Sequence, residues 1–256
     1  MSFALLILLF SVNIWPRPVV LLGVFDPFGR ASFNNSEKMA EILLKQTKKN
    51  PHFELRVCHL RTAFDKSFHQ LEDCVRKLSA PPKLVLGLGE SNCNLKIETI
   101  ARNLDKTKGP DNDGVEKNYT RINPHGPKEI GFTYPLAQMY CSLGVNERSN
   151  LEISNFAGTF VCNNLAYQFS ENYEDLSFGF IHVPLHTCKN LDIKNQKAAQ
   201  NLETMILAAV KGQVAPRLLT KKKELDVIRS RVANDRCLKE FYGRTKGVDE
   251  KNLWPF

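Results

Sequence analysis

A chain of 256 residues, 43% of them hydrophobic, is long enough to bury a substantial core as one large domain or two small ones. The formal charge is +8, but residues 212–256 hold 11 Lys and Arg against 6 Asp and Glu, so +5 of it (11 − 6) sits in the tail, and the body demands no nucleic-acid partner. Seven cysteines, at positions 58, 74, 93, 141, 162, 188 and 237, are scattered without a Cys-x-x-Cys or paired Cys/His signature, which argues against a zinc site or a disulfide framework and predicts reduced thiols.

Taken in chain order, residues 3–14 are nearly all apolar, about the length of a signal-peptide core and too short to span a bilayer comfortably. No basic residues precede this core and no clear small-x-small cleavage site follows it. Residues 1–17 therefore read as an extension that is a signal, an anchor or an unstructured lead. Strand-like apolar runs follow at 19–25, 53–60, 84–88, 151–156 and 178–183, with helix-period segments between them. Residues 36–46 open on a capping serine and carry Met39, Ile42 and Leu43 at helical spacing, and Phe64, Phe68, Leu71 and Val75 repeat that stripe. Residues 95–103 alternate as an added strand or hairpin arm. Residues 106–131, rich in Gly, Pro, Asp and Asn, read as a long functional loop. Residues 137–143 and 202–210 are further helices, the second after a polar lead-in. Strands alternating with helices predict a three-layer α/β/α sandwich around a mostly parallel mixed sheet. Residues 18–211 form that domain. Beyond a linker at 212–217, residues 221–242 predict a basic helix with Leu225, Ile228 and Val232 on one side, either packed along the domain edge or docking a partner.

The stretch Ser154-Asn155-Phe156-Ala157-Gly158-Thr159-Phe160-Val161-Cys162-Asn163-Asn164 carries the most chemistry. It reads as a strand ending at Ala157-Gly158 and a helix whose first turn holds Cys162, where unpaired N–H groups and the helix dipole favour thiolate. About 20 residues on, Phe180-Ile181-His182-Val183-Pro184 sets a histidine in an apolar strand. A Cys and a His on adjacent parallel strands are the parts of a cysteine hydrolase. The competing reading is a buried small hydrophobe and a satisfied core histidine.

Four separated motifs resemble the pyroglutamyl peptidase I family of cysteine peptidases: Gly23-Val24-Phe25-Asp26-Pro27-Phe28-Gly29 with Asn34-Asn35-Ser36; Gly87-Leu88-Gly89 running through Ile97-Glu98 to Pro110-Asp111-Asn112; Ala157-Gly158-Thr159-Phe160-Val161-Cys162-Asn163; and Phe180-Ile181-His182-Val183-Pro184. The resemblance implies a thiol omega-peptidase that removes N-terminal pyroglutamate through a thioester acyl-enzyme, with Cys162 as nucleophile, His182 as general base and acid, and Glu98 orienting the imidazole. It further implies that Phe25 and Phe28 sandwich the lactam, that Asn34 holds their loop, and that Lys108 stands where bacterial members carry arginine. Leu88 and Thr99 also depart from the bacterial pattern, and the alternative is a catalytically weakened pyroglutamyl-peptide binder on the same fold. No metal or cofactor is expected. The partners implied are peptides with N-terminal pyroglutamate and no nucleic acid, with homo-oligomers and membrane contact through the apolar segment left open. The expected compartment is the cytoplasm, or the secretory pathway if residues 1–15 act as a signal. In that second case Asn34-Asn35-Ser36 and Asn118-Tyr119-Thr120 become glycosylation sequons.

Overall fold

The computed structural model describes residues 16–212 and 235–245; the apolar extension and most of the predicted basic helix lie outside the described residues. Six strands form the main sheet in the order β2-β1-β3-β8-β4-β7, with β1 at Val19–Phe25, β2 at Glu54–Leu60, β3 at Leu84–Glu90, β4 at Leu95–Glu98, β7 at Leu151–Ser154 and β8 at Phe178–Val183. All neighbours run parallel except β4 and β8, which pair antiparallel. Strands β1, β3 and β8 are buried almost throughout because helices cover both faces, which is why they read as unbroken apolar runs.

Helices α1 (Asn35–Thr47) and α6 (Leu191–Lys211) pack together, and α2 (Lys66–Arg76) packs against α5 (Val161–Asn172). Asn34 caps α1, its side chain accepting from the Ser36 N–H at 3.0 Å. Helix α6 begins well before residue 202, and the polar lead-in is helical too. Asn195, fully buried, exchanges side-chain hydrogen bonds with Asn35 at 2.8 and 2.6 Å, so its amide has the partner that burial requires.

The arm predicted at 95–103 is two elements. Thr99 donates from both its N–H and its hydroxyl to the Ser154 carbonyl, at 2.8 and 3.0 Å, and ends β4 there. Beyond it, β5 (Ile100–Arg102) leaves the main sheet and pairs antiparallel with β6 (Glu129–Gly131), so the long loop between them is closed at its base.

The expectation of reduced thiols is overturned. Cys58 joins Cys74, Cys93 joins Cys188, and Cys141 joins Cys237, leaving Cys162 free. The first bond ties β2 to α2. The second joins the β3–β4 connection to the segment after β8. The third fastens the C-terminal helix α7 (Arg236–Arg244) to α3 (Leu136–Cys141), across 96 residues of sequence. Phe241 is fully buried beside Tyr140, whose hydroxyl donates to Glu240 at 2.6 Å. Helix α7 is thus part of the packed body. With α4 (Val145–Ser149) the described helices number α1 to α7.

Titration of the denatured, unreduced native protein with a thiol reagent is expected to find one reactive thiol per chain, and peptide mapping to find the three stated pairs. Seven free thiols would disprove the pairings.

Candidate active site

The triad predicted from sequence meets at one end of the sheet, but not by the expected route. Strand β7, which leads to the cysteine, is not beside β8; β4 lies between them and carries Glu98. His182 on β8 is opposite Lys96 on β4, so Glu98, two residues along, shares its face. The His182 Nδ1 and Glu98 Oε1 atoms are 2.8 Å apart, with Glu98 wholly buried and His182 nearly so. An ionised carboxylate only accepts, so Nδ1 carries the proton and Nε2 is left as a base. Tyr134 buttresses the strand from behind, its buried hydroxyl donating to the Glu98 carbonyl. The second carboxylate oxygen, Oε2, is buried without a partner.

Cys162 is the second residue of α5 and partly exposed. The turn before it needs Gly158, whose φ of +86° a residue with a side chain rarely adopts. No side chain caps the helix at Phe160, so its first N–H groups face the site. A Cβ placed on Gly89 would come within 2.8 Å of Cys162 Sγ and 3.1 Å of the Phe180 ring. Gly89 is in register with His182 on the neighbouring parallel strand. Because such strands lie roughly 4.8 Å apart, the thiol sits over the strand next to the imidazole. The helix start was expected to favour thiolate, yet burial, with Glu98 and Glu90 adding to it, pushes the thiol up to about 12 against the opposing effect of its own backbone N–H. Desolvation outweighs the helix terminus here, so the shift is upward.

The nucleophile turn is braced by β5 and the residues after it. Asn163, fully buried, donates to the carbonyls of Arg102 and Leu104 at 2.8 and 3.0 Å and accepts from the Arg102 N–H at 2.8 Å. Asn164 donates to Asp105 at 2.8 Å, and Thr159 and Lys106 exchange two further bonds, each of 2.8 Å. Burial raises the Asp105 carboxyl to about 7, against the lowering effects of Asn164 and Lys117.

The two phenylalanines differ in exposure. Phe25 is buried, its ring 6.3 Å from Phe180, whereas Phe28 is 40% exposed and packs tilted against Phe160 with ring centres 4.8 Å apart. Phe160, the residue preceding α5, packs against both Phe28 and Phe64. Asn34 does hold the loop, donating to the Asp26 carbonyl at 3.1 Å. Asn112 clamps the other side, donating to Asp26 Oδ1 at 2.9 Å and to the Pro27 carbonyl at 2.8 Å. Lys108 is exposed and makes no hydrogen bond or ion pair among the described residues. Leu88 lies buried in the core, and no His/Cys/Asp/Glu group able to hold a metal occurs among the described residues.

A family model described as pyroglutamyl peptidase matches residues 19–218. A pyrrolidone-carboxylate peptidase of Finegoldia magna is 28% identical over 201 residues, covering 75% of this chain and 90% of that protein. One from Thermosipho africanus is 29% identical over 195 residues, covering 75% and 93%. Among solved structures, pyroglutamyl peptidase I of Bacillus amyloliquefaciens shares the fold with a TM-score of 0.65 at 23% identity, covering 77% of this chain and 96% of its own.

Two outcomes are expected. Gly89→Val puts a branched side chain where Cys162 and Phe180 lie, and should cut kcat/KM by at least ~10-fold in a protein that still folds; unchanged turnover would mean the thiol does not need that space. For Asp105, the native state holds a proton that the unfolded chain releases, so its contribution to stability is full below about pH 4 and lost as pH rises through about 7. Asp105→Asn should flatten the fall of Tm between those values, and parallel Tm curves for the two proteins would refute the assignment.

Proposed function

Since the chain belongs to the pyroglutamyl peptidase family, we propose that it is a cysteine peptidase hydrolysing the bond after an N-terminal pyroglutamyl residue, with Cys162, His182 and Glu98 as its catalytic set. The observation that carries this reading is the buried Glu98–His182 contact of 2.8 Å on the strands beside a cysteine kept out of every disulfide. The domain that does this is residues 18–211, with α7 stapled onto it.

In the proposed reaction the lactam ring lies against Phe28 and Phe160, with Phe25 and Phe180 beneath. Sγ of Cys162 attacks the carbonyl carbon joining the pyroglutamyl group to the peptide, as Nε2 of His182 takes the thiol proton. Because burial pushes the thiol up, this transfer accompanies the attack. Glu98 holds the imidazole by Nδ1 and offsets the charge it acquires. The first N–H groups of α5 receive the oxyanion. Collapse expels the peptide amine, which takes the proton from Nε2, and water then hydrolyses the thioester by the same steps. Ordinary N-termini are excluded by their ammonium group, which would be buried unpaired between aromatic rings.

Of the two compartments, we favour the oxidising secretory pathway over the cytoplasm. What supports it is the three disulfides, which persist where thiols are not kept reduced. Among the described residues no helix is long and apolar enough to cross a membrane.

A fluorogenic pyroglutamyl amide tests the chemistry. Wild type is expected to release the fluorophore, Cys162→Ala to release none, and Glu98→Gln to fall by roughly 10²- to 10⁴-fold, while a prolyl amide stays intact. Activity surviving Cys162→Ala would remove the nucleophile assignment.

A further inference from the structure

Two Asn-x-Ser/Thr sequons occur, and the structure treats them oppositely. At the first, Asn34 is 7% exposed and both ends of its amide are in use: Nδ2 donates to the Asp26 carbonyl at 3.1 Å, and Oδ1 accepts from Ser36 N and Oγ at 3.0 and 2.8 Å. Ser36 is fully buried against Phe25. A sugar on Asn34 would break the cap of α1 and would have no room.

The second sequon lies at a turn in the long loop. Thr107 N donates to the Lys117 carbonyl at 2.9 Å and Lys117 N to the Thr107 hydroxyl at 3.2 Å, while Asp105 and Thr120 exchange backbone bonds of 2.7 and 2.9 Å. Between these anchors Asn118 and Tyr119 protrude, Tyr119 with φ of +49° and 65% exposure. Lys106 Nζ lies 4.0 Å from the Tyr119 ring centre, which occupies the tyrosine and leaves its neighbour alone. The Asn118 side chain is exposed and makes no hydrogen bond among the described residues. An exposed acceptor on a pinned turn, in a chain with three disulfides, meets the requirements of a glycosylated surface loop.

We propose that Asn118 carries an N-linked glycan and that Asn34 does not. The co-reactant is a lipid-linked oligosaccharide of the secretory pathway. Nδ2 of Asn118 bonds to C1 of the oligosaccharide, the bond from C1 to the lipid pyrophosphate breaks, the pyrophosphate leaves with its electron pair, and the amide loses one proton. The proposal rests on the secretory reading of the compartment and is independent of the catalytic residues.

The test is the full chain secreted from insect cells behind a heterologous leader, analysed by intact mass with and without peptide-N-glycosidase and by peptide mapping. Wild type is expected to lose the mass of one glycan, with Asn118 converted to Asp; Asn118→Gln and Thr120→Ala should leave the cell unmodified. Asn118→Gln should keep wild-type activity, which reports that the variant folds. A bare Asn118 in secreted protein, or a glycan on Asn34, overturns the proposal. Because the leader imposes the compartment, a bare Asn118 there counts against the site alone, whereas free thiols in protein from its native source would count against the compartment.

Discussion

A carboxylate removed from water in the middle of a sheet is the constraint around which this molecule is arranged. Glu98 is fully buried, and such a charge is tolerated only when paired and hydrogen-bonded. The pairing with His182 requires β4 to lie against β8, antiparallel to it, with β7 on its far side. With β4 antiparallel to β8, β7 runs antiparallel to β8 as well, and residues 155–160 link its end to the start of α5. Tyr134 braces Glu98 from behind, and the missing side chain at Gly89 leaves space for the Cys162 sulfur over the strand beside His182.

The surroundings of this centre are fixed by side chains that reach across long loops. Asp111 shapes the loop after β5 by accepting from Phe64, Asp113 and Val115 N–H groups at 2.8, 2.9 and 2.8 Å, which aims Asn112 at the Asp26-Pro27 turn carrying Phe28. On the other side, the Cys93–Cys188 bond joins the connection leading to Glu98 and the segment following His182. The Leu185 N–H donates to the Asn92 carbonyl at 2.8 Å, and His186 Nδ1 contacts Glu90 at 2.8 Å, so those two segments are tied three times within a few residues. The Glu98–His182 pair is therefore held from both ends, by sheet pairing inside and by these ties at the rim.

Much of this was legible in the sequence. Strands β1 and β8 were read to the residue because strands buried on both faces leave a continuous apolar run. The Ala-Gly-Thr-Phe-Val-Cys turn was legible because only glycine suits its φ and because the helix face after it repeats at Leu165 and Phe169. The place of β4 was not, since four residues between two ladders carry too little pattern to reveal their neighbours. Nor were the disulfides: six paired cysteines allow 15 connectivities, and the observed pairs span 16, 95 and 96 residues, distances that only the finished fold closes. That Phe25 is buried while Phe28 is 40% exposed against Phe160 was not legible, because an aromatic residue beside a turn looks the same in sequence whether it packs inward or outward.

A chain that closes three disulfides must keep its seventh cysteine out of them, and the environment of Cys162 does this by the same means that shapes its chemistry. Disulfide exchange proceeds through the thiolate, so its rate falls with the fraction ionised. Burial pushes the Cys162 thiol up to about 12, with Glu98 and Glu90 acting in the same direction, which works against ionisation. In the proposed reaction such a thiol needs a base beside it. Nε2 of His182, held in its basic tautomer by Glu98, restores reactivity only where a carbonyl carbon waits to accept the sulfur as the proton leaves. In the proposed reaction, burial and the Glu98–His182 pair thus act in opposite directions on the Cys162 proton, burial holding it and the pair drawing it off.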